Sequence, residues 1–390
     1  MAKSAGRGQR EFDLLSTLVR AATAIEGYGS PQTAQSYPRM LDLARESGDD
    51  EALSTALLGV WFDHTVAARH QEAAEPERQM MVVAERRKNP AALADAHHAQ
   101  GVGLFFTGHV GEALTALNRA ITLSPDGVGR SSTDGNDPLV FALSYAAVSA
   151  WTAGYPDRAV NLIESANRRS RELNQPFSLA SALAFQSWIH LWRGEVLEAE
   201  YVCEQLEVLA EGGFASALTA VNRKYQGWVA SMQGEHERGI AMIRSGIAGW
   251  KLPLFLTHDS SILAAACLRA GRYREALGAV AIGREHASRT EEHFEESEIE
   301  RIAGETLILI GTANTGEAEQ CLRRAVAIAV EQGAKSFELR ATKSLARLLS
   351  SQGKREEARM MLADIYNWFT EGFDTADLKE AKVLLDDLVQ

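Results

Sequence analysis

Proline is scarce in this chain, at 9 of 390 residues, and runs in which Val, Ile or Thr alternate with polar residues are missing. The first lack leaves long helices uninterrupted. The second removes the pattern of a half-buried strand. Cysteine is scarcer still. Cys203, Cys267 and Cys321 are well separated, and an odd, irregularly spaced set argues against a disulfide framework and fits a reducing, cytoplasmic compartment. A basic surplus is also lacking. The net charge is −12, which argues against the basic face that a nucleic-acid partner calls for. The opening stretch, residues 1–10, carries Lys3, Arg7 and Arg10 but no apolar run. It does not have the form of a secretory signal and is expected to be a disordered basic terminus.

The signatures of chemistry are missing too. The phosphate-loop pattern Gly-x-x-x-x-Gly-Lys-Ser/Thr does not occur, and the Gly353-Lys354 pair sits in a repeat turn. Neither His-Glu-x-x-His nor Cys-x-x-Cys is present, and the neighbours His97 and His98, or Asp63 and His64, chelate poorly. No serine-centred nucleophile elbow is found. The run Glu291 to Glu300 (EEHFEESEIE), with His293 inside it, is read as a solvated helix face, with a metal site as the alternative. No catalytic residue, cofactor or metal is therefore assigned.

What is present is helix. Apolar residues make up 46%, and alanine, leucine, glutamate and arginine are abundant. A chain this long exceeds one compact core, and its self-similarity gives the organisation. Gly-x-x-x-x-Ala recurs at Gly108–Ala113, Gly154–Ala159, Gly194–Ala199, Gly271–Ala276 and Gly353–Ala358. Gly234–Gly239 is a variant, Gly316-Glu-Ala318 is an altered copy, and Ala34 and Ala73 hold the same phase. The intervals between these anchors are 39, 40, 46, 40, 40, 37, 42 and 40 residues. The glycine ends one helix in a left-handed cap. The alanine sits in the first turn of the next, where two helices cross closely. Pairs of this kind must stack to bury their apolar faces.

The expected fold is an all-α, right-handed superhelix of about 8–9 tetratricopeptide-like repeats over residues 11–373, each of about 40 residues. The 46-residue interval holds a loop insertion at 124–138. Its Asp126, Asp134 and Asp137 do not match the spacing of a calcium loop. Pro138 to Pro156 is uncharged and long enough to span a bilayer. Its Ser144, Ser149, Thr152 and Gly154, and its match to the repeat phase, mark it as a doubly buried solenoid helix. Residues 374–390 form a capping helix, with Asp374 and Asp377 as an N-terminal capping pair and Lys379, Glu380, Lys382, Asp386 and Asp387 on its outer face.

Several stretches resemble a known bacterial arrangement. They are Glu26–Pro31, Gly135–Pro138, Trp151–Asp157, Gln332–Ser336 and, most specifically, Tyr366–Ala381. Together they resemble the C-terminal repeat region of large predicted ATPases, often led by a class III nucleotide cyclase domain. The resemblance implies a regulatory scaffold in signal transduction, with a cyclase or ATPase domain as partner in cis or in trans.

Counting back from each anchor places the candidate site. Thirteen positions back lie Gln100, Gln186, Gln226 and Glu305; nine back lie His64 and His190. The two offsets share one helix face. They form either a polar recognition stripe or hydrogen bonds between repeats. Eleven back lie Phe62, Val102, Val148, Trp188 and Trp228, and at eight or seven back Phe105, Phe106, Trp151 and Trp192. These either line the concave groove or fill a tightly wound core.

The leading reading is a non-catalytic interaction or sensor scaffold that takes a protein, peptide or small ligand in its groove, with a homodimer possible. The alternatives are an enzyme that uses the cavity as active site, and a self-associating structural module. With no phosphate loop, the chain should neither bind nor hydrolyse ATP. Calorimetric titration with ATP and magnesium should be flat, and saturable micromolar binding would contradict the reading.

Overall fold

A computed structural model describes residues 2–26, 29–124, 137–211 and 216–389. Every described element is helical, and the helices run in pairs. The first three pairs are α1 (Ala2–Glu26) with α2 (Pro31–Ser47), α3 (Asp50–Val66) with α4 (His70–Arg87), and α5 (Pro90–Phe106) with α6 (Val110–Leu123). Then come α7 (Pro138–Thr152) with α8 (Pro156–Glu172), α9 (Pro176–Arg193) with α10 (Val196–Glu211), and α11 (Ser216–Met232) with α12 (His236–Trp250). The last three are α13 (Leu256–Arg269) with α14 (Tyr273–Thr290), α15 (Glu296–Ile310) with α16 (Thr315–Gln332), and α17 (Lys335–Ser351) with α18 (Arg355–Tyr366). A final helix, α19 (Ala376–Val389), closes the array. The fold is thus an α-solenoid of nine helix pairs and a terminal helix.

The turns inside most of the described pairs repeat one device. Gly154 and Gly234 take φ of 96° and 90°, a region open to glycine without strain. The residue after the glycine then donates its N–H back to the last turn of the helix. Tyr155 to Ala150, Glu195 to His190, Glu235 to Ala230 and Arg272 to Cys267 are all bonds of 2.9 Å. This is the Schellman closure, which satisfies carbonyls the helix end leaves open.

The small residue after each turn is small because its partner helix is close. Ala113, Ala159, Ala199, Ala276, Ala318 and Ala358 are all fully buried. At Gly239 a Cβ would stand 2.6 Å from the Gly227 carbonyl oxygen. In the first pair the anchor is Thr33, which is buried, and not Ala34, which is exposed. The buried set of α2 (Thr33, Ser36, Met40, Leu43, Ala44) is in phase with Ala73, Pro76, Met80, Val83 and Ala84 of α4, so the packing selects Thr33.

The N-terminus also differs from expectation. Residues 2–10 belong to α1, because Phe12 and Val19 pack that helix on α2 and Glu11 pairs with Arg39 at 2.7 Å. Residues 125–136 of the insertion, with Asp126 and Asp134, lie outside the described residues. Asp137 is structural: it caps α7 and holds Arg169 through two bonds of 2.8 and 3.0 Å. The uncharged α7 is buried along nearly its whole length between its neighbours, and no described helix is long and apolar enough to cross a membrane. On α19, Lys379, Glu380, Lys382, Asp386 and Asp387 are exposed while Leu378, Ala381 and Leu388 face the preceding pair. Asp377 is turned to Arg340 and Lys343, at 2.7 and 2.9 Å, instead of acting in a capping pair.

The solenoid also meets itself. The turns inside the second to fifth pairs pack against the connectors that follow the seventh to ninth. Gln71 bonds Glu291 at 2.5 Å, and the His293 amide donates to the Phe106 carbonyl at 2.7 Å. Ser336 donates to the Trp151 carbonyl at 2.6 Å, and Arg340 to that of Trp192. Glu371 accepts from the amides of Asp157 and Arg158 at 2.8 and 3.0 Å.

The close crossing makes two glycines separable. Gly239→Ala should destabilise by about 1–3 kcal/mol through forced separation of α11 and α12. Gly278→Ala, in the exposed interior of α14 with nothing within 4 Å of a new Cβ, should stabilise by up to about 1 kcal/mol. Urea unfolding of both variants checks this, and equal effects would contradict the packing argument.

Candidate functional site

The inner wall of the solenoid consists of the first helix of each pair, and it has a sealed part and a half-open part. Trp151, Trp188, Trp192 and Trp228 are 1–3% exposed and Phe105 is fully buried. Two connectors cover Phe105 and Trp188. The α12–α13 connector brings Phe255, and the α14–α15 connector, residues 291–295, brings Phe294. The Phe294 ring lies 4.8 Å from Phe105 and 5.7 Å from both Phe106 and Trp188, centroid to centroid. Trp151 stacks on Trp192 at 4.5 Å with the Arg340 guanidinium 4.8 Å from its ring. Beside them a cavity of about 10 Å³ is lined by Leu339, Phe369 and Leu378 among others.

The same connector corrects the reading of the acidic run as a solvated face. Glu292, Glu295 and Glu300 are 0–1% exposed. Glu292 accepts from the backbone amides of Phe255 and Thr257, both at 3.0 Å. Its Oε2 also lies 3.4 Å from His286 Nε2 and 3.9 Å from His70 Nε2. Burial alone would raise the Glu292 carboxyl, but the imidazoles of His286 and His70 outweigh it and hold it down at about 2. Glu295 accepts from Trp192 Nε1 and His258 Nδ1, each at 2.8 Å, and from the Ser261 hydroxyl. No group of three or more His, Cys, Asp or Glu among the described residues has the arrangement of a metal site.

One constellation looks like a catalytic relay. Tyr225 OH lies 3.4 Å from His258 Nε2, whose Nδ1 donates to Glu295. Burial, and then the Asp259 and Glu295 charges, push the Tyr225 hydroxyl well above its usual value, so it is a poor nucleophile at neutral pH. Tyr225, His258 and Glu295 are each 3% exposed or less. They form a hydrogen-bonded strut of the interior.

The polar candidates bridge repeats. Gln186 accepts from Asn167 of α8 at 2.8 Å and contacts His190 Nε2 at 3.2 Å, and His190 is held by Glu195 at 2.7 Å. Gln226 donates to Glu207 of α10 at 3.3 Å. Phe62 is the one aromatic candidate that stays half-buried. With it on the half-open part of the wall are Leu58, His98 and Phe141, also half-buried. His98 and Phe141 were missed by counting from anchors, because they sit 15 and 18 positions back from Ala113 and Ala159, ahead of the offsets that were aligned.

No protein-family model and no curated protein matches the chain. Solved structures do. A Rap protein complexed with competence and sporulation factor aligns over 98% of this chain and 99% of its own, with a TM-score of 0.65 at 10% identity. The Rap conjugation gene regulator of plasmid pLS20, in complex with a Phr peptide, covers 86% and 96% at a TM-score of 0.55 and 12% identity. The apo quorum sensor NprR from B. thuringiensis covers 92% and 97% at 0.53 and 13%. At these identities the likeness is one of fold: a tetratricopeptide-like, all-α repeat architecture shared over nearly the full length.

The Glu292 environment gives a pH dependence of known sign. Its folded pKa lies below its usual value of 4.5. Its stabilisation is therefore full above that value and is lost as pH falls toward about 2. Glu292→Gln should lower stability at neutral pH and flatten the acid-denaturation slope in that window. Urea titrations across the window check this, and a variant with the wild-type slope would contradict it.

Proposed function

We propose that this chain is a non-catalytic, peptide-responsive regulatory scaffold. The observation that carries the reading is the half-open aromatic stretch of inner wall at Leu58, Phe62, His98 and Phe141, in a fold shared end to end with a Rap protein complexed with competence and sporulation factor. The wall has the composition of a recognition surface: rings for contact area and a few polar atoms for orientation. The sealed tryptophans Trp151, Trp188, Trp192 and Trp228 shape that wall from behind, and Gln186, Gln226 and His190 hold its repeats in register. The cyclase or ATPase partner implied by the stretch Tyr366–Ala381 rests on that stretch alone.

A peptide that binds only the folded chain stabilises it by about 2.7 kcal/mol at a hundredfold excess over its Kd. Thermal melts of the full chain against a library of short peptides should find members that raise the melting temperature saturably. A library in which none does so would contradict the proposal.

A further inference from the structure

Along the half-open wall the rings form an unbroken run across four pairs. Trp61 meets His98 edge-on with centroids 5.8 Å apart. His98 meets Tyr145 at 6.1 Å and Phe141 at 6.5 Å, and Tyr145 meets Phe185 at 4.9 Å. Two polar atoms of this run, Trp61 Nε1 and His98 Nδ1, are buried and have no hydrogen-bond partner among the described residues. Trp61 is only 4% exposed. Buried indole N–H groups are as a rule bonded, so an unbonded one beside a half-open aromatic surface marks a place where an acceptor belongs. Of the sealed tryptophans, Trp192 Nε1 is bonded to Glu295, while Trp188 Nε1, like Trp61 Nε1, has no partner among the described residues.

The charge of the wall narrows the acceptor. Burial pushes the His98 imidazole down to about 4, so it is neutral at physiological pH. Asp95, one turn earlier on α5, is already engaged in an interaction of its own. His98 thus offers no positive charge to a carboxylate, and a carboxylate moved onto the rings would lose its water. A main-chain carbonyl is a strong neutral acceptor with two lone pairs.

We propose that this ring run is the seat of an uncharged, apolar peptide segment. Its side chains lie on Phe62, His98 and Phe141, and its main-chain carbonyls accept from Trp61 Nε1 and from His98 Nδ1 in the tautomer that protonates it. The proposal rests on the peptide-responsive reading above and adds the place and the chemistry.

The test is equilibrium dialysis of the full chain against three pools of acetylated, amidated short peptides: one uncharged and apolar, one acidic, one basic. Bound peptides are quantified by mass spectrometry. Wild-type protein should retain the uncharged pool. Trp61→Phe, which keeps a ring and loses the N–H, should weaken that retention about five- to tenfold. Phe62→Ala, at a half-buried position that tolerates truncation better, should weaken it as well. Trp368→Phe, at a 36% exposed ring on the far side of the turn at Gly154, should not. Preference for a charged pool overturns the seat but leaves the peptide reading intact. So does undiminished retention by both Trp61→Phe and Phe62→Ala. Retention of no pool overturns both.

Discussion

Two carboxylates with no solvent exposure, Glu292 and Glu295, join the second and fifth helix pairs to the seventh. A buried carboxylate is strongly unfavourable unless donors surround it. Here the partners come from widely separated pairs: His70 from the second, Trp192 from the fifth, Thr257, His258 and Ser261 from the seventh. Glu295 is satisfied only when the fifth and seventh pairs have wound far enough to meet, and the same winding brings His70 within 3.9 Å of Glu292. The connector that carries them also delivers Phe294 to Phe105, Phe106 and Trp188. Ionic satisfaction and aromatic burial therefore select the same curvature.

That curvature divides the inner wall. Parts of the inner helices are covered where turns meet connectors, while Leu58, Phe62, His98 and Phe141 remain half-open in the early pairs. In an ordinary tetratricopeptide array, where each repeat contacts mainly its neighbours, the whole wall would face solvent. Here long-range contacts remove part of it. The part left open is aromatic and, at His98, uncharged at neutral pH, a surface suited to a short apolar segment.

The repeat was legible in the sequence because its physics is local. A glycine with positive φ and a small residue five positions on are needed by a single turn and a single crossing, and both can be counted. Asp137 was placed at the end of the loop, but its structural role was not legible because its partner Arg169 lies 32 residues away. The run from Glu291 to Glu300 was misjudged for a stronger form of the same reason. Its charge suggested water, but its carboxylates are held by groups that include Trp192 and His258, 103 and 37 residues from Glu295. Phe294 in its midst was the available hint, since a solvated face seldom needs a phenyl ring. The tryptophans at matching offsets were read equally as groove or core, and only the position of the connectors separates those outcomes.

The central claim is that turns and connectors from opposite ends of the chain meet and seal the interior. Amide hydrogen exchange at the connectors tests it most directly. The His293 amide donates to Phe106, and the Phe255 and Thr257 amides donate to Glu292. The first bond joins the third pair to the connector after the seventh and exists only in the closed solenoid; the other two join the connectors on either side of the seventh pair. The account predicts protection at all three amides comparable to that of the buried helices α7 and α9. Rapid exchange at these positions, with the helices still protected, would contradict it.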